Sequence, residues 1–512
     1  MRYELKNFFD ESAYAVFVKR GSDSGCCDNF ERVEATMPGV SEYYTINRLL
    51  SDAYCDILNP RVTELFIEET HEKYYARFKK SFGKELAGFF TDEPQYYRYE
   101  TPISSVCEEE FSGVYGENLK DGLIRLFVQS EKGYPFRVKY YNLLNKLYCE
   151  NYYKKLYDRC DRHGILLTGH SVEETFFFTQ MWGGADCASS YPYEHIPAID
   201  NLARDGTAEI SAKSIGSVAA QTGKKLVMTE TFGCSGYGVT PRELRLIADK
   251  QYVYGVDLMC QHLYNYTFSK LGKIDCPPSF GRIMPWKSFY KSFNGEKLKF
   301  KQSENDVGYE FSDIIVKKGE NVLSYTIDFE DGERVGKILY DPTVPESLRN
   351  CIAYETGIEQ IFVRGDFDCE NGKIVAKKRK VAGNLTSQGL ENFFGKAVYT
   401  FDYDFDGTPV RFAPKGDFTA CALTIDDKKY EILLSDGVTV RDVDGKKTVL
   451  VECYSTLRNA FGPFYFKGRE ESGVGSDAFT LRGGWNSDGT NPGYDGKKRL
   501  IPFGLKSMFV SR

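Results

Sequence analysis

The stretch LAGFFTDEP (86–94) decides the fold class, because its apolar run ends in two acids followed by a proline. The stretch KLVMTETFG (225–233) has the same pattern and ends its apolar run at Glu230. An apolar strand that stops at an acid before a turn places that acid at the carboxyl edge of a parallel sheet. In a βα barrel this edge is the mouth at which active sites lie. We therefore expect Asp92, Glu93 and Glu230 to face a common cleft.

Other candidate strands alternate with helical segments over the first half of the chain. The strands are AYAVFVKR (13–20), GILLTGHS (164–171), VDLMCQHLY (256–264) and a weaker one at HIPAIDNL (195–202). Residues 60–78 and 137–160 carry apolar side chains at helical spacing, which predicts two long helices. Strands that alternate with helices predict a parallel sheet of the α/β class.

The strand count predicts a (β/α)8-type TIM barrel that is incomplete at its N-terminus. If 256–264 is the eighth strand, 225–233 is the seventh and 86–94 is the fourth. Acids on strands that are three apart lie roughly 135° apart around the mouth of an eight-stranded barrel. Six candidate strands can be counted, and six strands cannot close such a barrel.

The second half of the chain has an all-β pattern. In YTFDYDFDG (399–407) aromatic residues alternate with aspartates, as in a strand with one buried face. Short alternating strands of this kind, separated by turns, predict a β-sandwich. We therefore divide the chain into a TIM-barrel-like catalytic domain (1–290), a β-rich connecting domain (291–383) and a β-sandwich domain (384–512).

Composition excludes several classes of protein. The chain has 512 residues, 42% hydrophobic content and a net charge of −7, so it has the material for a core and no excess of basic residues for nucleic acid. No apolar run approaches the length of a membrane span, and the N-terminus lacks the pattern of a secretory signal. The 14 cysteines are scattered without a CxxC motif, which is typical of reduced thiols. These features predict a cytoplasmic protein, and they do not indicate its oligomeric state.

Further polar side chains follow the candidate strands. His170 ends 164–171, with Glu173 and Glu174 just beyond it, and His262 lies near the end of 256–264. All five histidines lie in the first 262 residues. Because histidine is useful for chemistry near neutral pH, this bias places the chemistry in the first half of the chain.

Paired carboxylates at a barrel mouth suit glycoside hydrolysis. That reaction needs one acid to protonate the leaving oxygen and one carboxylate to attack the sugar or to activate water. Trp182 and Trp286 also follow strand ends, where they could stack on a sugar ring or pack in the core. The sequence leaves both interpretations of the tryptophans open.

Several longer motifs resemble those of bacterial α-L-rhamnosidase-like enzymes of glycoside hydrolase family 106. The barrel motifs are GFFTDEP (88–94), LTGHS (167–171), IPAID (196–200), SVAAQTGKKLVMTETFG (217–233) and GVDLMCQHLY (255–264). CYSTLRNAFGP (453–463) looks like part of the ancillary sandwich of such enzymes, which is similar to galactose-binding domains. Related chains usually begin with two more strand–helix units, and we find no counterpart of their motifs here.

The resemblance implies a role for each candidate residue. Glu93 would be the general acid, and Glu230 the base or nucleophile. The residues expected to bind substrate are Asp92, His170, Glu173, Asp200, His262, Trp182 and Trp286. The sequence itself requires no cofactor, although the resemblance makes Ca²⁺ a candidate.

Three hypotheses of function follow. The first is a glycoside hydrolase that cleaves a terminal α-L-rhamnoside-like sugar from plant-type glycans or glycosides. The second is a non-catalytic carbohydrate-binding homologue of such enzymes, because strands of the barrel are missing. The third is a metal-dependent hydrolase that uses His170, His262 and nearby acids.

Overall fold

The structure is a computed structural model of the chain. It describes residues 2–20, 27–50, 55–96, 101–128, 130–184, 186–204, 209–264, 276–280, 285, 337–338, 341, 367–371, 373–479, 493 and 495–512. Most of the predicted connecting domain (291–383) and Trp286 therefore lie outside the described residues.

The strands of the described residues are numbered in chain order. The first ten are β1 (Arg2–Lys6), β2 (Ala15–Lys19), β3 (Phe30–Val33), β4 (Tyr43–Leu49), β5 (Gly88–Asp92), β6 (Thr101–Pro102), β7 (Leu166–His170), β8 (Ile196–Asn201), β9 (Met228–Thr231) and β10 (Leu258–Gln261). The others are β11 (Phe367–Glu370), β12 (Lys373–Ala376), β13 (Lys396–Asp406), β14 (Val410–Asp417), β15 (Ala420–Ile425), β16 (Lys428–Ile432), β17 (Val438–Val440), β18 (Asp444–Tyr454) and β19 (Gly504–Ser511).

The α-helices lie mainly in the first half of the chain. They are α1 (Pro60–Phe66), α2 (Glu72–Phe78), α3 (Cys107–Tyr115), α4 (Leu119–Gly122), α5 (Tyr134–Tyr148), α6 (Lys154–Arg162), α7 (Phe177–Gly183), α8 (Cys187–Ser190), α9 (Glu209–Thr222), α10 (Pro241–Val253) and α11 (Arg458–Phe461). A π-helical turn joins α1 to α2 (Ile67–His71), and another joins α5 to α6 (Cys149–Tyr153). The two long helices predicted from apolar spacing are therefore confirmed.

Local capping explains where two of these helices begin. The side chain of Asn59 accepts the N–H of Arg61 at 3.0 Å, just before α1. Before α10, Thr240 and Glu243 form a reciprocal capping box, in which the backbone N–H of each residue is donated to the side chain of the other.

Five strands form a parallel sheet in the order β10-β9-β8-β7-β5. β5 pairs with β7 in parallel from Gly88 opposite Leu166 to Asp92 opposite His170. The strands predicted at both acid-ending stretches and at three further segments are confirmed, as is their order. The sheet is half of a barrel, and the described residues do not show a closed barrel of eight strands.

The candidate strand at 13–20 was assigned to the wrong sheet. β2 lies between β3 and β4 in an antiparallel sheet of order β3-β2-β4-β1-β6. An apolar run of this length predicts a buried strand, but it does not reveal the direction of the neighbouring strands. The antiparallel sheet takes the place in the chain at which a strand–helix unit of the barrel was expected.

Tyrosines of α5 and the turn after it fix the ends of the parallel strands. The hydroxyl of Tyr148 donates to the carbonyl of Pro94 at 2.5 Å, and that of Tyr153 shares a 3.1 Å bond with Ser171 Oγ. Both tyrosines are fully buried. These two contacts hold the turns that follow β5 and β7, so part of the aromatic content serves the core next to the strand ends.

The C-terminal strands form a β-sandwich, as predicted. One sheet has the order β13-β18-β15-β16 and the other β17-β14-β19. Side chains from both sheets share one core, including Val451 and Leu423 from the first sheet and Phe412 from the second. The aspartates of β13 are exposed and its aromatic residues face this core, which confirms the alternating pattern.

The chain divides into two compact units. One comprises residues 1–201, 207–230 and 250–260, and the other 202–206, 231–249 and 261–512. The cysteines within the described residues all carry free thiols. Within the same residues, no helix has both the length and the apolar character needed to cross a membrane.

Candidate active site

The ends of β5, β7, β8 and β9 bring together five of the predicted site residues. They are Asp92, Glu93, His170, Asp200 and Glu230, all in the first unit of the chain. Each lies within one residue of the carboxyl end of its strand. Acids far apart in the sequence meet because parallel strands present their carboxyl ends at one edge of the sheet.

His170 is at the centre of this cluster. Its Nε2 lies 3.1 Å from Oε2 of Glu230 and 3.3 Å from Oδ1 of Asp92. The imidazole is buried, whereas three quarters of the Asp92 side chain and one quarter of the Glu230 side chain are exposed. One buried ring therefore links two carboxylates that solvent can reach.

The surrounding acids control the charge of His170. Burial by itself lowers the pKa of the imidazole, because it disfavours the charged ring. The hydrogen bond to Glu230, together with the acidic groups that surround the ring, outweighs that effect and raises the pKa to about 10. His170 is thus an imidazolium at neutral pH and donates a charge-assisted hydrogen bond to Glu230.

Asp200 favours its neutral, protonated form, whereas His170 favours its charged form. Oδ1 of Asp200 is buried and has no hydrogen-bond partner among the described residues, and burial raises the pKa of this carboxyl well above its usual range. The positive charge of His170 lowers the pKa in part, while the negative charges of Glu230, Glu174 and Glu93 raise it further. Asp200 therefore tends to keep its proton.

Glu93 lies within reach of the same groups. A carboxylate oxygen of Glu93, one of Asp200 and a ring nitrogen of His170 are all within 4.8 Å of one another. The backbone N–H of Glu93 donates to the carbonyl of His170 at 3.1 Å, and its φ is +44°. A non-glycine residue in this left-handed region is strained, and such strain is often found at functional sites.

Gly169 allows β5 and β7 to approach closely beside the cluster. Its φ is +155°, and a Cβ placed there would lie 2.1 Å from the carbonyl oxygen of Thr91. The glycine in LTGHS is thus required by the contact between the two strands that carry Asp92 and His170.

Glu174, which the sequence did not single out as a site residue, lies buried beside the cluster, and the predicted substrate contact of its neighbour Glu173 stays a prediction. Glu174 is 3% exposed, and its carboxylate accepts the backbone N–H groups of Ser171 at 3.0 Å and Asp200 at 2.9 Å. Glu173 has a φ of +56°, and its carbonyl accepts the hydroxyl of Thr179 at 2.8 Å. The left-handed turn at Glu173 directs the next side chain inward. The sequence carries no signal that separates two adjacent glutamates in this way.

The other predicted site residues are Trp182, His262 and Trp286. Trp182 is on α7, which follows β7, and it is 37% exposed and packs edge-to-face on Phe178 at 5.5 Å. His262 follows β10 in the second unit, and its backbone N–H donates to the carbonyl of Thr231 at 2.8 Å. Trp286 lies outside the described residues. Substrate contacts of the three residues stay predictions.

Two overlapping sets of side chains have the spacing of a cation site. They are Asp92 with His170 and Glu230, and Glu93 with His170 and Asp200. Each set offers two carboxylates, and each depends on an imidazole whose proton is held by those acids. Because Ca²⁺ takes six to eight oxygen ligands, a calcium site here would need backbone carbonyls or water besides these carboxylates. The calcium expectation therefore rests on the sequence resemblance alone.

Comparison with known proteins supports the fold. A scan against protein-family models found no match, and neither did a search of curated proteins. Among solved structures, the chain is similar to a rhamnosidase from Novosphingobium sp. PP1Y, with a TM-score of 0.50 and 11% sequence identity. The match covers 95% of this chain and 69% of that one. It shows a rhamnosidase-like fold, while membership of family 106 and a missing part of the barrel stay predictions.

Proposed function

We propose that the protein is a glycoside hydrolase that uses Glu93 and Glu230 as its pair of catalytic carboxylates. The observation that carries the proposal is the convergence on His170 of acids from three other strand ends. The cluster contains exposed carboxylates and a buried carboxyl, Asp200, that tends to keep its proton. Acid–base hydrolysis of a glycoside needs both an ionised carboxylate and a protonated acid.

Glu230 acts as the base or the nucleophile. The hydrogen bond from the His170 imidazolium favours the ionised form of Glu230, since it stabilises negative charge on Oε2. An ionised carboxylate can take a proton from water or attack the anomeric carbon directly. In either route the imidazolium orients the carboxylate without entering a covalent bond.

Glu93 acts as the general acid. It shares its surroundings with Asp200, whose burial and acidic neighbours favour the protonated state. Two acids this close do not both ionise readily, so the pair retains a proton. Glu93, on the turn beyond β5, then delivers a proton to the leaving oxygen as the glycosidic bond breaks.

The substrate we propose is a terminal α-L-rhamnoside-like sugar of plant-type glycans or glycosides. A solved structure with a similar fold is a rhamnosidase, and the motifs around Glu93 and Glu230 resemble those of such enzymes. The residues proposed to bind this sugar are Asp92, His170, Glu173, Asp200, His262, Trp182 and Trp286. A cytoplasmic location also stays a proposal.

Turnover of p-nitrophenyl glycosides by the full chain tests the function. We expect hydrolysis of the α-L-rhamnoside, with kcat lowered at least about 100-fold in Glu230→Gln and about 10- to 100-fold in Glu93→Gln, because p-nitrophenol is a weakly basic leaving group. Glu131→Gln, which alters an exposed acid before α5, should keep wild-type activity. Unchanged turnover in both site variants contradicts the proposal. Sugar binding without turnover by the wild-type chain supports the non-catalytic alternative instead.

A further inference from the structure

Backbone pairing between β7 and β8 stops short of the site. The paired residues are Thr168 with Ile196 and Gly169 with Pro197, and Pro197 has no N–H to donate. His170 and Asp200 lie beyond the last of these pairs. The spacing between these two site residues is therefore not set by the strand ladder.

Two buried glutamates accept the next N–H groups of β8. Oε2 of Glu194 accepts the N–H of Ala198 at 3.2 Å, and Oε2 of Glu174 accepts that of Asp200 at 2.9 Å. The other oxygen of Glu174 accepts the N–H of Ser171, next to His170, at 3.0 Å. Glu174 thus spans the two strand ends and replaces a backbone bond between them.

We propose that Glu174 is a positioning residue, whose carboxylate holds His170 and Asp200 at a fixed spacing by accepting the backbone N–H groups of Ser171 and Asp200. This inference rests on the proposed function of the cluster. Glu174 is itself fixed, because the Tyr191 hydroxyl donates to its Oε1 at 3.2 Å and Gln180 Nε2 donates to its carbonyl at 2.8 Å. Because Glu174 is held at both its carboxylate and its backbone, it restricts the movement of the groups that it positions.

Replacing each of the two buried glutamates by glutamine distinguishes a positioning role from the general effect of changing a buried acid. Both oxygens of Glu174 accept N–H groups, so Glu174→Gln turns an amide N–H₂ toward one backbone donor and breaks that bond. Glu194 uses only one oxygen in this way, and within the described part of the chain its Oε1 has no hydrogen-bond partner, so Glu194→Gln keeps its bond to Ala198. The two variants match in size, burial and loss of a titratable group.

Steady-state kinetics of p-nitrophenyl α-L-rhamnoside hydrolysis tests the proposal. We expect Glu174→Gln to lower kcat about 10- to 100-fold with KM changed less than threefold, since a small misplacement of reacting groups acts on the chemical step. Glu194→Gln should stay within threefold of the wild type. Equal losses of kcat in the two variants, or no loss in Glu174→Gln, would overturn the proposal.

A spectroscopic measurement keeps the test independent of activity. In protein labelled selectively at histidine, the ring resonances of His170, assigned with His170→Gln, should shift in Glu174→Gln and stay in place in Glu194→Gln. If no glycoside is hydrolysed, the proposed function fails, and these resonances alone decide the positioning role. If Glu174→Gln does not fold, Tyr191→Phe takes its place; unmoved His170 resonances in that variant overturn the proposal.

Discussion

Nε2 of His170 lies 3.1 Å from Oε2 of Glu230, and this contact joins the ends of two strands that are separated by β8 in the sheet. The pair consists of a buried cation and a partly exposed anion. Nearby acids stabilise the cation, since they raise the pKa of His170 to about 10. The site is therefore held together by electrostatics as well as by the sheet.

The charge of His170 makes stability depend on pH in a defined direction. The folded-state pKa of about 10 lies above the value near 6.5 of an unperturbed histidine. The stabilisation is complete below pH 6.5 and is lost as the pH rises toward 10. We expect the difference in free energy of unfolding between wild type and His170→Gln to fall by about 4 kcal/mol over that range. Urea unfolding at pH 6, 8 and 10 measures it.

His195 provides the control for this prediction. Burial lowers the pKa of its imidazole below the ordinary value near 6.5, so His195 is neutral from pH 8 to pH 10. The difference between wild type and His195→Gln should not change from pH 8 to pH 10. A constant difference for His170→Gln as well would show that His170 is not held as a cation.

The sequence predicted the elements of the first unit better than their arrangement. The strand ends at Asp92, His170 and Glu230 could be located because an apolar run followed by a polar turn is a local pattern. The sheet to which β2 belongs could not be predicted, since the direction of neighbouring strands depends on residues distant in the sequence. The two long helices were predicted well, because the apolar spacing that indicates a helix is a local pattern.

Dependence on the leaving group tests the role of Glu93. A general acid matters most when the leaving oxygen is basic, because that oxygen must be protonated as it departs. We expect Glu93→Gln to slow hydrolysis of a methyl glycoside about 1000-fold and that of a 2,4-dinitrophenyl glycoside less than about tenfold. Measuring kcat/KM for both substrates checks this. In Glu230→Gln both substrates should slow alike, and a uniform loss in Glu93→Gln contradicts the assignment.

The close approach at Gly169 predicts a large loss of stability on substitution. In Gly169→Ala the new Cβ would lie 2.1 Å from the Thr91 carbonyl, so β5 and β7 must separate. We expect a decrease of about 3 kcal/mol or more in the free energy of unfolding. Gly223→Ala is the control, because Gly223 has a φ of +70° and open space around its Cβ position, and it should cost about 1 kcal/mol. Equal losses in the two variants would contradict this account.

The candidate site could be predicted from the sequence only in part. Four of the site residues share a strand-end pattern, namely Asp92, Glu93, His170 and Glu230. Asp200 was implied by the resemblance alone, and the structure brings all five together. Glu174 has no such pattern, because its role depends on the turn made by the residue before it. A buried carboxylate that accepts two backbone N–H groups is visible only once both strands are placed.

Trp182 tests whether the exposed aromatic residues near the site bind sugar. The side chain is 37% exposed on α7, which is tied to the Glu173 turn by the hydroxyl of Thr179. If the indole stacks on the substrate in the ground state and the transition state alike, Trp182→Ala should raise KM about tenfold and leave kcat within threefold. Tyr134→Ala, which removes an exposed ring at the start of α5, should change neither constant. An unchanged KM in Trp182→Ala would assign the indole to packing against Phe178, the alternative that the sequence left open.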